Sequence, residues 1–464
     1  ERLLYDGSVL RGLNDEEIRV LISELRAGEY DAIAVCFLFS FLNPSHEVKL
    51  KKRFEEDIPE LPCSISSEVA PIWREYDRAS STIADAFIKP VVSNYVRQLK
   101  SGLSELDVPA TLMVMKSNGG MMSSSSCEAA PIQSLMSGPA GGMIACQAIA
   151  DALDVKKVLT MDMGGTSCDV GIIVNGEQKL TTQYEIEFGL TVSIPMIDIR
   201  TIGAGGGSIA WIDNGGFLQV GPLSAGADPG PACYNLGGHV PTVTDANLVL
   251  NRLIPEFFLN GEMLLSKDLA RKAVATVSGS DESSLEEIAT SITQISEDNM
   301  ANAIRMISVV EGHDPREFSL MSFGGAGPLH ATAIARKLSI PKVIIPVVPG
   351  NTSALGFLLA DLRIDKIRTF PMRSDSLDVG RINQQFKDAE VSAAKELRAD
   401  QYRGTIFWVN VIKMRYAGQN HEYDVPIPYG PLTDDVLHAA FDSFHQRHEA
   451  LYGYQLPDAI IEII

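Results

Sequence analysis

Two aspartates that flank a glycine turn carry the clearest chemistry in this sequence. Residues 158–174 run from an apolar segment to Asp162, through a short turn to Asp169, and into a second apolar segment. The turn consists of Gly164, Gly165, Thr166 and Ser167. This pattern predicts two antiparallel strands whose turn points backbone N–H groups into one concavity, while the two hydroxyls add donors, and such an arrangement suits phosphate oxygens.

The two carboxylates need a partner of opposite charge, because they would repel a phosphate. A hydrated divalent cation, here Mg²⁺, or a positioned water between the acids and the phosphate would explain both residues. Asp162 and Asp169 are therefore predicted to be catalytic and to hold the metal through water. The alternative is an ordinary β-hairpin in which aspartate and threonine satisfy turn amides.

Three further glycine clusters are candidates for a cleft. Residues 137–142, which include Ser137 and Gly138, are predicted to open a helix over residues 143–153, and either an anion or close helix packing would explain them. Residues 202–208 contain Gly205, Gly206 and Gly207, and so flexible a loop is costly unless a ligand or a moving backbone needs the space.

The last cluster, residues 323–330, reads as a turn from a strand into a helix. Gly324, Gly325 and Gly327 would present flat backbone to a nucleotide. His330 would either contact the ligand or cap its helix.

Two groups could bind a transition metal, each with a plainer explanation. Asp228, Cys233, His239 and Asp245 lie close in sequence, but the glycines and prolines between them fit a rigid loop as well. His445 and His448 lie near one helix face, which we predict to be solvated because no third ligand is placed beside them.

Composition excludes several classes of partner. The formal net charge of −20 argues against nucleic acid and anionic membranes, so local dipoles and metal must hold any anionic ligand. The six cysteines form no Cys-x-x-Cys pair, which favours reduced thiols in a cytosolic protein.

The longest apolar run, residues 32–42, is too short for a bilayer helix and is predicted to include a buried strand of a parallel sheet over residues 32–39. The sequence begins and ends within apparent elements, so we expect truncation at both ends.

The elements around these motifs alternate between helix and strand. Helices are predicted over residues 15–27, 74–100, 286–311, 383–399 and 434–451, and strands over residues 111–116, 192–199, 318–323, 405–416 and 422–427. Asn175-Gly176 and residues 213–216 are predicted hairpin turns. The pattern indicates an α/β protein of more than one domain.

The glycine–aspartate hairpin resembles the second phosphate loop of the actin, heat-shock ATPase and sugar-kinase superfamily. More narrowly, the chain resembles the hydantoinase A and 5-oxoprolinase family of ATP-dependent cyclic-amide hydrolases. The motifs that carry the resemblance occur in family order at residues 117–120, 137–142, 162–170, 201–210, 224–234, 241–247, 323–331, 415–419 and 451–454.

The resemblance implies an actin-like, ribonuclease-H-like, two-lobed α/β fold with mixed sheets. It divides the chain into a remnant of the family's N-terminal domain (1–62), a nucleotide-binding core (63–360, with a lobe junction near 137–157) and a C-terminal α/β region (361–464). Cleft or substrate candidates are Asn118, Gly119, Gly120, Ser137, Gly138, Gly205, Gly206, Gly207 and His330.

The implied activity is transfer of the γ-phosphoryl group of ATP to the ring oxygen of a hydantoin, N-methylhydantoin or 5-oxoproline, followed by hydrolysis. ATP and Mg²⁺ are the implied cofactors, and a hydantoinase B-type subunit or domain, in a homo- or hetero-oligomer, is the implied partner. One departure is that residues 1–60 lack the family's first acidic glycine loop. An ATP-dependent ketone carboxylase subunit and a non-catalytic ATPase switch are the alternatives.

Overall fold

The computed structural model describes residues 1–187, 189–278, 284–399 and 402–464. Numbered along the chain, the strands are β1 Arg2–Leu3, β2 Val9–Arg11, β3 Ile33–Val35, β4 Cys63–Ile65, β5 Met113–Met115, β6 Met121–Ser123, β7 Lys157–Met163, β8 Cys168–Val174, β9 Glu177–Gln178, β10 Leu180–Thr181, β11 Tyr184–Glu187, β12 Leu190–Val192, β13 Met196–Ile197, β14 Ile199–Ile202, β15 Ser208–Ile212, β16 Leu218–Ser224, β17 Ser319–Phe323, β18 Lys342–Ile344, β19 Met372–Arg373, β20 Asn410–Tyr416, β21 Tyr423–Ile427 and β22 Ile461–Ile463. The α-helices are α1 Asp15–Ala27, α2 Ser45–Asp57, α3 Ser66–Val69, α4 Glu75–Glu105, α5 Ser124–Ala129, α6 Ser137–Ala152, α7 Val243–Val249, α8 Lys267–Ala275, α9 Leu285–Ile307, α10 Gly327–Leu338, α11 Thr352–Leu359, α12 Val379–Ala399 and α13 Asp434–Tyr452.

The chain forms two compact units that alternate along the sequence. The first unit comprises Glu1–Leu135, Thr181–Met196 and Asp361–Ile464, and the second comprises Met136–Leu180 and Ile197–Ala360. The sequential division into residues 1–62, 63–360 and 361–464 stays a prediction.

A mixed sheet forms the centre of the second unit. Its strands lie in the order β14-β8-β7-β17-β18, with β9 beside β8. Strand β8 is antiparallel to both β14 and β7, whereas β17 is parallel to both β7 and β18. Strands β7 and β17 are almost wholly buried, which is typical of a sheet covered on both faces. The mixed α/β class is thus confirmed, and the strand order is the one expected for a ribonuclease-H-like sheet.

Helix α9 supplies much of the apolar cover in this unit. It begins with a capping box, in which the Ser284 hydroxyl accepts from the Glu287 N–H and the Glu287 carboxylate accepts from the Ser284 N–H. Ile288, Ile292 and Ile304 recur at helical spacing and belong to the buried core. Within the described residues, none of the helices has both the length and the apolar character needed for a bilayer crossing.

The first unit has small sheets and one long helix. Its largest sheet has the order β19-β22-β20-β21, and β3 and β4 form a parallel pair. The strand predicted at residues 32–39 is shorter, since β3 covers only Ile33–Val35, and the chain turns after it at Phe39, whose φ is 61°. Helix α4 contains Pro90 and extends five residues beyond its predicted end.

Turn residues predict their elements well in this chain. Asn175 and Gly176 both have positive φ at the predicted β8–β9 turn, and residues 213–216 connect β15 to β16.

The single strand predicted over residues 192–199 is wrong, since parts of it belong to β12, β13 and β14. The helix predicted over residues 143–153 begins earlier, at Ser137.

Candidate functional site

The predicted hairpin is present and places its two carboxylates side by side. Strands β7 and β8 pair in a register that sets Asp162 opposite Asp169. The Gly164 N–H donates to the Ser167 carbonyl at 3.1 Å and closes the turn. Two like charges in facing positions destabilise a hairpin unless something compensates for them.

Burial strengthens the repulsion between these acids. Burial first, and the nearby Asp169 second, raise the pKa of Asp162 to about 6, although a hydrogen bond from Ser353 opposes the shift. Burial also raises the pKa of Asp169, against a 2.5 Å hydrogen bond from the Thr201 hydroxyl. A bound divalent cation would remove this penalty, so the donor set fits hydrated Mg²⁺.

The open side of the turn is where a side chain would have room. A Cβ added to Gly164, Gly165 or Gly325 would meet nothing within 4 Å, and none of these three glycines has a φ in the left-handed region. The Thr166 and Ser167 hydroxyls have no hydrogen-bond partner among the described residues. A phosphate needs the same features, namely bare backbone and unused donors.

The second glycine loop supports this turn from the other side and is itself buried. The Gly206 N–H donates to the Gly164 carbonyl at 3.0 Å, and the Gly207 N–H donates to the Gly165 carbonyl at 2.6 Å. A Cβ on Gly205 would lie 2.6 Å from the Gly165 carbonyl carbon. The prediction that these glycines line a cleft is therefore corrected, since all three are buried. Gly205 packs against backbone, and a Cβ on Gly206 or Gly207 would first meet the Thr244 or Ser224 hydroxyl.

The turn at residues 324–327 lies against the end of β7. The Ala326 N–H donates to the Met163 carbonyl at 2.9 Å. Gly324 has a φ of +79°, and a Cβ there would collide with the Asp162 carboxylate. A Cβ on Gly327 would lie 2.8 Å from the Ser322 hydroxyl oxygen. Gly324 and Gly327 therefore serve packing, while Gly325 faces open space.

His330 lies in the core, and the two roles predicted for it are corrected. Its Nδ1 is 3.2 Å from a Glu297 carboxylate oxygen, and its Nε2 is 3.2 Å from the Asn247 side-chain nitrogen. The Arg252 guanidinium lies 3.6 Å from the same carboxylate. This buried network links α7, α9 and α10.

Asn118, Gly119 and Gly120 belong to the first unit, whereas the hairpin belongs to the second. The Asn118 amide donates to Asp365, and its oxygen accepts from the Gly120 N–H at 2.9 Å. A Cβ on Gly120 would collide with Arg363. These contacts give the Asn118 motif a structural role, which anchors the segment that contains Asp365.

Ser137 and Gly138 form the first turn of α6. Gly138 is exposed, whereas Gly141 and Gly142 are buried against α11 and β17. The close-packing interpretation of this motif therefore applies to its second half.

The weak transition-metal site is not formed. Asp228 and His239 are exposed, while Asp245 is buried and accepts from the Cys233 N–H at 2.8 Å and the Thr242 hydroxyl at 2.7 Å. Burial raises the pKa of Asp245 against these hydrogen bonds. No three His, Cys, Asp or Glu side chains in the described ranges are grouped to hold a metal ion.

The solvated face predicted for His445 and His448 is also wrong. His448 is buried and its Nδ1 is 2.9 Å from the Tyr454 carbonyl. His445 Nδ1 is 2.6 Å from the Tyr416 hydroxyl. Aromatic residues of β20 and β21 cover this face of α13, and sequence spacing along the helix does not reveal them.

Sequence reasoning missed the residues that hold the two acids. Thr201 bonds to Asp169, and Ser353 donates to Asp162 at 3.3 Å. A cross-strand partner such as Thr201 follows from register, once β14 is known to pair with β8. No local signal indicates Ser353, which is 191 residues from its partner.

Comparison with known proteins gives consistent matches. A model of the hydantoinase/oxoprolinase family matches residues 78–366, and a model of that family's N-terminal region matches residues 1–58. Caprolactamase subunit alpha of Pseudomonas jessenii is 35% identical over 471 residues, covering 100% of this chain and 67% of that protein. The crystal structure of the ATP-dependent caprolactamase from Pseudomonas jessenii superposes with a TM-score of 0.84 at 33% identity, over 100% of this chain and 68% of that one.

Two other relatives are named for different activities. The 5-oxoprolinase of Saccharomyces cerevisiae is 32% identical, covering 98% of this chain and 36% of that protein. The acetophenone carboxylase gamma subunit of Aromatoleum aromaticum is 34% identical, covering 75% of this chain and 48% of that protein. The chain thus spans about two thirds of the caprolactamase subunit and about one third of the oxoprolinase.

Proposed function

Because the chain belongs to the hydantoinase/oxoprolinase family, we propose that it is the nucleotide-binding part of an enzyme that uses ATP to open a cyclic amide. The observation that carries this proposal is the pair of facing carboxylates, Asp162 and Asp169, beside an open glycine turn. Relatives named caprolactamase and 5-oxoprolinase support the substrate class, a lactam ring.

The proposed reaction activates the amide before water attacks it. The ring carbonyl oxygen attacks the γ-phosphorus of ATP, the bond from that phosphorus to the bridging oxygen breaks, and ADP leaves. A first water then adds to the activated carbon, the C–N bond breaks and the ring nitrogen takes a proton, which leaves an acyl phosphate. A second water hydrolyses this acyl phosphate to a carboxylate and free phosphate. The sum is one ring opened for each ATP converted to ADP and phosphate.

The residues of the hairpin would bind and orient the phosphates. Backbone N–H groups of Gly165 and Thr166 would donate to them, together with the Ser167 hydroxyl, and Gly164, whose N–H closes the turn, would offer bare backbone. Asp162 and Asp169 would hold hydrated Mg²⁺, which supplies neutralisation of phosphate charge when bound. Gly325 would lie against the nucleotide, where its lack of a side chain allows close approach.

Completion of the reaction is proposed to need a second subunit or domain of the hydantoinase B type. The relatives are named subunit alpha and gamma subunit, so those proteins act within assemblies. A homo- or hetero-oligomer is proposed on the same ground.

A second candidate is the equivalent subunit of an ATP-dependent ketone carboxylase. The 34% identity to the acetophenone carboxylase gamma subunit favours it. In that reaction the activated oxygen belongs to an enol and the second substrate is bicarbonate. A non-catalytic ATPase switch would use the same hairpin without either substrate.

One assay separates these functions. The full-length protein, with its partner subunit, is incubated with Mg·ATP and caprolactam, 5-oxoproline, hydantoins or ketones, with and without bicarbonate. We expect a ring substrate to stimulate ADP release, with one ring opened per ADP and no need for bicarbonate. Stimulation by a ketone only when bicarbonate is present would indicate the carboxylase, and ADP release that ignores every substrate would indicate the switch.

A further inference from the structure

The Asp162 carboxylate has a close neighbour at each of its oxygens. Its Oδ2 accepts from the Ser353 hydroxyl at 3.3 Å, and its Oδ1 lies against Gly324, where any Cβ would collide with it. Ser353 is half-buried in the first turn of α11. The Gly324 N–H donates to the Pro349 carbonyl at 2.9 Å. Both neighbours of the carboxylate are therefore tied to the short segment that leads into α11.

Glycines fix the place of α11 against α6. A Cβ on Gly356 would collide with the Gly141 carbonyl, and a Cβ on Gly141 would lie 2.7 Å from the Ser353 carbonyl oxygen. A Cβ on Gly142 would lie 3.1 Å from the Ser353 hydroxyl oxygen itself. A side chain at Gly141 or Gly356 would move α11 and, with it, the hydroxyl that bonds to Asp162, and a side chain at Gly142 would displace the Phe323 ring and crowd that hydroxyl.

We propose that Ser353 is a positioning residue, which holds the Asp162 carboxylate toward the phosphate hairpin, and that the glycine contact between α6 and α11 sets its place. This inference rests on the proposed role of Asp162. In this proposal the glycine motif at residues 137–142 acts on the site indirectly, since it sets the position of α11 and does not contact a ligand. The competing explanation is that Ser353 only stabilises the first turn of α11.

A double-mutant cycle distinguishes these explanations. Ser353→Ala, Asp162→Asn and the double variant are made in the full-length protein, and the affinity for Mg·ATP, the turnover and the melting temperature are measured. A hydrogen bond to a charged group predicts a loss of turnover of about tenfold for Ser353→Ala. If Ser353 acts through Asp162, the same change in the Asp162→Asn background costs less than about twofold. Ser291→Ala, on the exposed face of α9, removes a hydroxyl bonded to a backbone carbonyl and is the matched control.

Each outcome is decisive. Non-additive losses with an unchanged melting temperature support the proposal. Additive losses, or a loss that follows the melting temperature, would show that Ser353 is only structural, while the proposed function stands. A normal turnover for Asp162→Asn would overturn both, because Ser353 would then have nothing to position.

Discussion

At the scale of single residues, the site depends on two acids that are held close together against their mutual repulsion. Both could be predicted from sequence, because aspartates on either side of a glycine turn are a local pattern. Their supports, Thr201 and Ser353, could not, since each comes from a distant segment that only the folded chain brings near. His330 was predicted to lie at the site but lies in the core. Its partners there, Glu297 and Asn247, come from other helices and cannot be found from the local sequence.

Burial, and after it the repulsion from Asp169, raise the pKa of Asp162, and this predicts how stability depends on pH. The pKa of Asp162 is raised from an ordinary value of 3.8 to about 6, so between these values the folded state binds more protons than the unfolded state. The free energy of unfolding should then fall as the pH rises from about 4 through 6, and stay low above that range. Asp162→Asn removes the contribution of Asp162 to this dependence, so the variant should gain stability relative to wild type at pH 8 and lose that advantage near pH 4.

Urea denaturation without divalent cations, at pH values from 4 to 8, measures this difference. Asp458→Asn is the control, since it removes a charge from an exposed loop. An Asp162→Asn variant that is no more stable than wild type at pH 8 would contradict the placement of the two carboxylates.

At the scale of elements, glycines perform two different tasks that look alike in sequence. Those of the hairpin turn face open space, whereas Gly205 and Gly356 let backbones touch. Glycine spacing alone could identify the clusters, but it could not separate the glycines that face open space from those that pack against backbone. That separation depends on which atoms lie opposite each Cα in the folded chain. The β7–β8 hairpin and α10 were predicted well, since a tight turn and a glycine–proline start are local signals.

A pair of alanine substitutions tests this division. Gly165→Ala should leave the melting temperature nearly unchanged and weaken Mg·ATP binding by about tenfold or more, because its methyl group enters the open space that we propose for phosphate. Gly205→Ala should destabilise the fold by about 1–3 kcal/mol, because its methyl group strikes the Gly165 carbonyl. Thermal denaturation and calorimetry with Mg·ATP measure both effects.

Gly12→Ala is the control, as a Cβ there meets nothing within 4 Å and lies away from the hairpin in sequence. The division fails if Gly205→Ala keeps full stability, or if Gly165→Ala unfolds the protein without changing nucleotide affinity in the fraction that remains folded.

At the scale of the whole molecule, the order of residues along the chain differs from their grouping into units and sheets. Residues 181–196 belong to the first unit, although the segments on either side of them belong to the second unit. Strands β7 and β8 share a sheet with β17, which lies far along the sequence. Composition and periodicity gave the α/β class, but no local pattern encodes pairing between distant strands. Net charge adds one constraint at this scale, since the proposed binding of a polyphosphate to a chain of −20 would depend on local donors and metal.

The most direct test of the central claim uses the full-length protein with its partner subunit and a ring substrate. Asp162→Asn keeps the size of the side chain and removes its charge, and Asp169→Asn does the same across the hairpin. For Asp162→Asn we predict a preserved fold, a modest change in ATP affinity, and a loss of ring-opening turnover of roughly a hundredfold or more with an altered Mg²⁺ dependence. For Asp169→Asn we predict a similar or smaller loss. Near-normal turnover and unchanged Mg²⁺ dependence in both variants would contradict the account and leave this segment an ordinary hairpin.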